Sequence, residues 1–106
     1  MRKQLHSRYY EAILQLRPES EELINFVNEF LSRRGDCKIT QVKTLKTGID
    51  LYLTSQRAAR ALGGKLKRRF KNGELTLSRS LHHRDRFTSK EAYRVTVLFR
   101  MKQQDI

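Results

Sequence analysis

Apolar and polar residues alternate or recur with helical spacing in seven segments of this chain, and the first is a strand. Over residues 9–17 every second residue is apolar, which predicts a strand. The alternation puts Tyr10 on the same side as Ala12, Leu14 and Leu16. One side of this strand is therefore expected to face a core.

The second segment has the spacing of an amphipathic helix. Ser20 is a suitable N-cap, and Gly35 can supply the left-handed residue that ends the helix. The apolar positions between them recur at intervals of three and four: Leu23, Ile24, Phe26, Val27, Phe30 and Leu31. This pattern predicts a helix with one buried side.

Two further strands are predicted in the middle of the chain. In residues 37–46 the apolar residues Ile39, Val42 and Leu45 are three apart, so a strand there requires a bulge or an early end. A turn at Thr47 and Gly48 leads into alternating residues 49–53, which predict the third strand.

Thr54 or Ser55 is expected to cap a second helix that runs to about Lys71. Its apolar residues follow helical spacing: Ala59, Leu62, Leu66 and Phe70. Gly63 and Gly64 interrupt it. They indicate either close packing on the sheet or room for a phosphate backbone to approach.

Two strands are predicted at residues 74–81 and 92–101, joined by a polar connection at 82–91. The order of elements predicts an α+β fold, a ferredoxin-like β-α-β-β-α-β-β plait whose antiparallel sheet carries two helices on one face. The alternative is a small α+β domain with the last two strands as a protruding hairpin. Residues 1–106 form one domain, with flexible ends at 1–7 and 102–106.

Charge changes the picture from fold to partner. Lys and Arg number 23 against 11 Asp and Glu, which gives a net charge of +12. A balance this basic favours a polyanionic partner: RNA, DNA, an anionic membrane or an acidic protein. The alternative is that the charge serves only solubility.

The positive charge is most concentrated on the second helix. Residues 57–71 contain seven Lys and Arg and no acidic residue. Helical spacing predicts a basic stripe of Arg57, Arg60, Lys67, Arg68 and Lys71, flanked by Lys65 and Arg69. Since Lys and Arg neutralise phosphates, this stripe is the first candidate RNA-binding site; the alternative is a solvated helix face.

The connection between the last two strands is the second candidate RNA-binding site. It combines cations and rings, which suits splayed RNA because a ring stacks on a base while Arg holds the backbone. Its candidate residues, with Arg79 on the strand before it, are His82, His83, Arg84, Arg86, Phe87 and Lys90. The alternative is that Phe87 packs back on the sheet and the loop has no binding role.

Other chemistries find little support in the residues. The aromatic strand motif by which RRM domains stack bases is absent, and so is a KH-type loop. Adjacent strand residues such as His82 and His83 point to opposite faces, so a shared metal ion is not expected. Cys37 is expected to be a small buried apolar residue. We expect no catalysis, metal or cofactor.

The sequence also bears on location. No apolar run approaches the roughly 20 residues that span a bilayer, and the basic N-terminus is not followed by the apolar stretch of a secretory signal. A single cysteine excludes a disulfide within this chain. A cytoplasmic protein is expected, without a membrane or small-molecule partner.

Several segments resemble one archaeal and eukaryotic family. They are Tyr9 to Arg17 (YYEAILQLR), Gly48 to Tyr52 (GIDLY) before a capped Arg-rich helix, Arg84-Asp85, and Tyr93 to Val97 (YRVTV). The family is the adaptor for nuclear export of the large ribosomal subunit, known as the third nonsense-mediated-decay protein, with its archaeal relatives. The resemblance covers about residues 9–99 and corresponds to the middle domain.

This resemblance implies binding to the large ribosomal subunit in its maturation, export or quality control. For an archaeal relative it implies assembly or recycling. Family members carry paired Cys-x-x-Cys zinc motifs ahead of this region, and these are absent here. The chain is then either a domain of a longer protein or a short stand-alone relative, and zinc binding and direct export are not expected of it.

Three hypotheses follow. The first is a non-catalytic module that docks on ribosomal RNA of the large subunit, with ribosomal proteins as further contacts. The second is a protein-interaction domain that binds an acidic partner or self-associates, anchored by exposed Tyr9, Tyr52 or Leu98. The third is a small nucleic-acid-processing enzyme, for which the sequence shows no catalytic constellation.

Overall fold

A mixed five-stranded sheet carries two helices in the computed structural model, which describes residues 9–84 and 91–102. Within these residues the elements are β1 (Ala12–Arg17), α1 (Glu21–Arg34), β2 (Ile39–Leu45), β3 (Gly48–Leu53), α2 (Gln56–Arg69), β4 (Gly73–Arg84) and β5 (Glu91–Met101). The predicted flexibility of residues 1–7 and 102–106 falls outside the described residues except at Lys102, whose amide donates to the Asn72 carbonyl.

The strand order is β2-β3-β1-β5-β4. The α+β class with two helices is confirmed, but the purely antiparallel plait is wrong because β1 and β5 are parallel, with Ala12 opposite Val95 and Leu16 opposite Phe99. The parallel pairing results from the order of elements in the second half of the chain. Helix α2 leads into the β4–β5 hairpin, and it is the returning strand β5 that lies beside β1. Strand β4 is left at the edge of the sheet.

The core lies between one face of the sheet and the two helices. Strand β1 buries Ala12, Leu14 and Leu16 completely, as the alternation predicts. The other buried apolar residues come from α1, α2, β3, β5 and their connections: Leu23, Val27, Leu31, Cys37, Ile49, Leu51, Leu53, Ala58, Ala59, Leu62, Leu66, Phe70, Val95, Val97 and Phe99. Each fully buried Leu or Phe side chain contributes about 1.5–3 kcal/mol.

Both ends of α1 confirm the prediction. The Ser20 hydroxyl accepts a hydrogen bond from the Leu23 amide at 3.2 Å. Gly35 adopts the left-handed conformation, with φ at 77°, and its amide donates to the Leu31 carbonyl. These groups satisfy backbone atoms that a helix end leaves without partners.

Helix α2 begins as predicted and ends earlier. The Ser55 hydroxyl accepts from the Ala58 amide at 3.1 Å. Phe70 is the C-cap, one residue short of the predicted end near Lys71. The ring of Phe70 contacts the Phe26 ring at 5.6 Å and the Phe99 ring at 6.4 Å between centroids. This burial turns the backbone out of the helix, and Lys71 lies beyond it.

Strand irregularities have two different outcomes. Of the two alternatives for β2, a bulge or an early end, the structure favours the first, because the register shifts between Ile39 and Gln41 and the strand continues to Leu45. The predicted loop at residues 82–91 is wrong in extent, because β4 continues to Arg84 and β5 starts at Glu91. Pairing continues past a second irregularity between Leu81 and His83. The connection at 85–90 lies outside the described residues.

The two adjacent glycines of α2 have different environments. A Cβ atom built on Gly63 would lie 3.0 Å from Val97 Cγ1 and 3.1 Å from Leu75 Cδ1, whereas one on Gly64 would meet nothing within 4 Å. Gly63 therefore allows the helix to approach the sheet closely, which is one of the two interpretations of the sequence. Gly64 faces open space.

An ion pair lies on the face of the sheet opposite the helices. Arg17 Nη2 donates to Asp50 Oδ1 at 2.7 Å, and the two side chains are only 12% and 10% exposed. Arg17 Nη1 also donates to the carbonyls of Leu16 and Ile49. The pair ties β1 to β3, and removing one member would leave the other without its charged partner.

The glycine environments predict opposite outcomes for the same substitution. Gly64→Ala should raise the free energy of unfolding by up to about 1 kcal/mol, because alanine is the better helix former and has room. The free energy of unfolding of Gly63→Ala should be at least about 1 kcal/mol lower than that of Gly64→Ala, because Val97 and Leu75 must move. Urea unfolding followed by circular dichroism measures both. Equal effects would contradict the close packing.

The ion pair predicts a non-additive double mutant. Arg17→Met should lower the free energy of unfolding by about 3 kcal/mol, since it leaves Asp50 buried without its charged partner. Adding Asp50→Leu should restore most of that stability. Urea unfolding of the two single variants and the double variant gives the coupling energy. Additive effects would show that the two side chains act independently.

Candidate functional site

Three arginines form the exposed crest of α2. Arg57, Arg60 and Arg68 are all exposed. At about 100° per residue they lie within about 80° of one another around the helix, and Arg57 and Arg68 are about 16 Å apart along it. The opposite side of the helix is buried through Ala59, Leu62 and Leu66. We call these three arginines the α2 crest.

Contacts at its first turn fix how α2 is held. Within α2 the first turn contains no acidic residue, but the carboxylate of Glu11, the residue before β1, accepts a hydrogen bond from the Gln56 amide at 2.9 Å. The Gln56 side chain donates to the Tyr93 carbonyl at 3.2 Å. A carboxylate at a helix N-terminus is favourable because the exposed amides carry partial positive charge. These contacts join α2 to β1 and β5.

The remaining predicted cations of α2 do not share the crest. Lys67 Nζ donates to the Gly73 carbonyl at 2.9 Å, toward β4. Lys65 lies on the other flank and lines a groove of about 370 Å³ between the helices, with Arg33 and Arg34 of α1. The Arg69 guanidinium carbon lies 5.2 Å from the Phe70 ring centroid. The basic surface is therefore broader than the single stripe predicted from the spacing.

No ion pair between described side chains involves an arginine of the α2 crest. The pairs formed by described side chains are Arg17–Asp50, Arg33–Glu29, Arg34–Asp36 and Lys102–Glu74. The Arg34 hydrogen bonds lower the pKa of Asp36, and the Arg57 charge adds a smaller effect in the same direction. The hydrogen bond to Asp36 correspondingly raises the pKa of Arg34. No ion pair among the described side chains therefore occupies the crest charges.

Arg79 lies next to the crest on β4. Its guanidinium carbon is 4.6 Å from the Tyr93 ring centroid. Arg79 and Arg60 together line a groove of about 400 Å³ between α2 and β4, with Leu77, Ser78 and Val95. The structure thus brings together two of the predicted cations that are distant in sequence.

The other candidate RNA-binding residues are described less fully. The backbone of His82, His83 and Arg84 belongs to β4, so these residues extend the strand instead of forming a loop. Arg86, Phe87 and Lys90 lie outside the described residues. Their RNA contacts stay predictions.

Sequence reasoning missed an aromatic and cationic cluster on the sheet face that the helices leave uncovered. Tyr10 and Tyr52 make an edge-to-face contact with centroids 4.8 Å apart, and the Arg94 guanidinium lies 3.9 Å from the Tyr10 ring centroid. The prediction that Tyr10 shares the face of Ala12 is wrong. Strand β1 begins at Ala12, so the alternation does not constrain Tyr10.

The anchors expected for a protein interface differ in exposure. Tyr9 is 47% exposed, whereas Tyr52 and Leu98 are less exposed than Tyr9. Tyr9 donates to Glu11, which raises the pKa of the Tyr9 hydroxyl. Two leucines that the sequence reasoning passed over, Leu77 and Leu81, are 51% and 52% exposed. Their periodicity on a strand gives no hint of this, since burial depends on which strand lies at the edge.

The described residues form neither a cluster of metal ligands nor a helix that could span a membrane. Within them no three His, Cys, Asp or Glu side chains lie close enough to hold a metal ion. Cys37 is buried, as expected. Neither α1 nor α2 has the length and hydropathy needed to cross a membrane.

Comparison with known proteins gives one family. The family model described as "NMD3, second domain" matches residues 9–101. A search of curated proteins found no match. The family match extends over almost all of the described residues, both helices and all five strands included, and it confirms the resemblance seen in the sequence. The chain therefore belongs to the NMD3 family and contains its second domain.

Proposed function

We propose that this domain is a non-catalytic RNA-binding module that docks on the large ribosomal subunit through the α2 crest. Membership of the NMD3 family ties the chain to that subunit. The observation that carries the proposal is the crest itself: three exposed guanidinium groups, without a carboxylate partner among the described residues, on a helix whose other side is buried.

Arginine at these positions suits phosphate. Its guanidinium is planar and donates two parallel hydrogen bonds to phosphate oxygens, which fixes orientation as well as supplying charge. Because α2 is packed against the sheet, the helix that carries the crest is already ordered before binding. Binding therefore costs mainly the side-chain entropy of the arginines themselves. Positions about 16 Å apart along the helix can reach more than one phosphate group.

The charge of the whole domain supports the same proposal. A net charge of +12 attracts RNA from a distance and speeds encounter, and the crest then fixes the contact. Arg60 and Arg79 on one groove extend the basic surface toward β4. Lys65 extends it toward α1. The proposed role is to bind the subunit in the cytoplasm during its maturation, export or quality control. The domain contributes affinity and positioning and catalyses no reaction.

Removing the crest charges should weaken binding selectively. Arg57→Gln, Arg60→Gln and Arg68→Gln combined should reduce affinity for purified large subunits at least tenfold, because three cations no longer neutralise phosphates. The matched control combines Lys38→Gln, Lys43→Gln and Lys46→Gln, which removes the same charge from exposed positions at the opposite edge of the sheet. The control should weaken binding less than about threefold. Co-sedimentation at fixed salt measures both.

Equal weakening in the two triple variants would show that net charge alone governs binding. An unchanged affinity in the crest variant would remove α2 as the RNA-binding surface. Circular dichroism of each variant checks that the fold is retained.

The salt dependence should report the same interaction. The slope of log affinity against log salt concentration should become shallower by about one for each phosphate that the glutamine variant no longer neutralises. Arg57→Lys, Arg60→Lys and Arg68→Lys combined should keep the slope close to that of the parent protein, because the charge is kept. Titration with a ribosomal RNA fragment at several salt concentrations measures it. A parent slope near zero would contradict phosphate binding.

A further inference from the structure

Two exposed leucines, Leu77 and Leu81, lie on one face of β4 with Arg79 between them. Residues paired directly across an antiparallel ladder place their side chains on the same face of the sheet. Leu77 is paired with Val97 and Leu81 with Tyr93, whereas Thr76 is paired with Leu98. Since Val97 is in the core, Leu77 points to the helix side. Leu77 and Leu81 nevertheless stay more than half exposed, because β4 lies at the edge, beyond α2.

The edge formed by β4 carries few of the usual protections. Its ladder to β5 is continuous from Gly73 to Leu81, and no described strand lies on its other side. Natural edge strands are commonly short, or carry proline, charged side chains or a bulge that prevents further pairing. Strand β4 has 12 residues without proline, its irregularity comes only after Leu81, and between Leu75 and Leu81 its one charge is Arg79, which an acidic partner would neutralise. A strand edge with exposed apolar residues can accept an additional strand.

The charges beside this edge select the occupant. Arg60 and Arg79 line the groove next to Leu77, and none of the described residues that line it is acidic. A second copy of the chain would bring another net charge of +12 to the same place. Residues 1–8 of the chain contain three Lys and Arg and no acidic residue. An acidic segment from another protein is the complementary partner.

Backbone chemistry distinguishes this surface from a site for RNA. A strand edge presents N–H donors and C=O acceptors in alternation. Phosphate oxygens accept hydrogen bonds but have none to donate, so they cannot satisfy the carbonyls. An extended peptide supplies both kinds of group in the required order. Exposed leucines also gain from apolar contact, which a phosphate backbone does not provide.

We propose that the outer edge of β4 binds an extended acidic segment of a partner protein by strand addition. Side chains of the added strand alternate between faces, so those on the helix side lie beside Leu77, Arg79 and Leu81 in turn. The segment therefore has the pattern apolar, any, acidic, any, apolar. Its apolar residues cover the leucines and its acidic residue lies beside Arg79.

The proposal is tested with a fluorescein-labelled ten-residue peptide that carries valine, glutamate and valine at alternate positions among serine and threonine. The comparison peptide has the same composition with those three residues adjacent. Fluorescence anisotropy with the full chain should show at least tenfold tighter binding of the alternating peptide. Hydrogen exchange should show new protection of amides in residues 76–81 when that peptide binds.

Two neighbouring substitutions provide the matched control. Leu77→Lys should weaken binding of the alternating peptide at least tenfold, because it removes the apolar side chain that the peptide covers. Thr76→Lys adds the same charge one residue away on the opposite face, and should change affinity less than threefold. If Leu77→Lys does not fold, an exchange of charges tests the same site. The Arg79→Glu variant should bind the glutamate peptide more weakly than the parent chain does. It should bind more tightly a peptide in which lysine replaces that glutamate.

A double variant with Arg57→Gln and Arg68→Gln, which keeps Arg60 beside the edge, should bind the alternating peptide within threefold of the parent chain while its RNA binding is weakened, so this site and the proposed RNA-binding surface fail independently. Equal binding of the two peptides, equal effects of Leu77→Lys and Thr76→Lys, or protection appearing in α2 but not β4 would each overturn the proposal. Displacement of the peptide from this double variant by a ribosomal RNA fragment would also overturn it, because it would assign the edge to RNA.

Discussion

The packing of α2 on the sheet is the contact on which the rest of this structure depends. The helix reaches the sheet at Gly63, where the absence of a side chain leaves room for Val97 and Leu75. Its buried residues form one core with those of β1, β3, β5 and α1. Because that side of α2 is fixed, the backbone positions of the arginines lie on the outward side of the helix. The candidate function is thus a consequence of how the core is filled.

Much of this arrangement could be predicted from local sequence patterns. The Ser20 and Ser55 caps, the left-handed Gly35 and the bulge in β2 each depend on a few neighbouring residues. What could not be predicted depends on distant partners. The parallel pairing of β1 with β5 requires knowing which strand of the last hairpin returns to the centre. The end of α2 at Phe70 depends on rings from other elements.

The candidate site divides in the same way. Helical periodicity was sufficient to find Arg57, Arg60 and Arg68, since all three lie on one regular element. It placed Lys65 correctly on a flank but put Lys67 in the stripe, whereas the Lys67 side chain turns toward the start of β4. The exposed leucines of β4 were not predicted, because their alternation resembles that of a buried strand and only the sheet order reveals the edge. Two surfaces with different chemistry result, a cationic crest for phosphate and an apolar edge for a peptide.

The central claim is that α2 faces RNA. The most direct measurement is a photocrosslink from Gly64, which lies among the crest arginines in open space. The chain carries p-benzoylphenylalanine at that position, or at Lys38 as the control, and is irradiated in complex with large ribosomal subunits. If α2 faces RNA, crosslinks from position 64 to ribosomal RNA exceed those from position 38 severalfold. Crosslinks from position 64 to protein alone, or RNA crosslinks only from position 38, would contradict it.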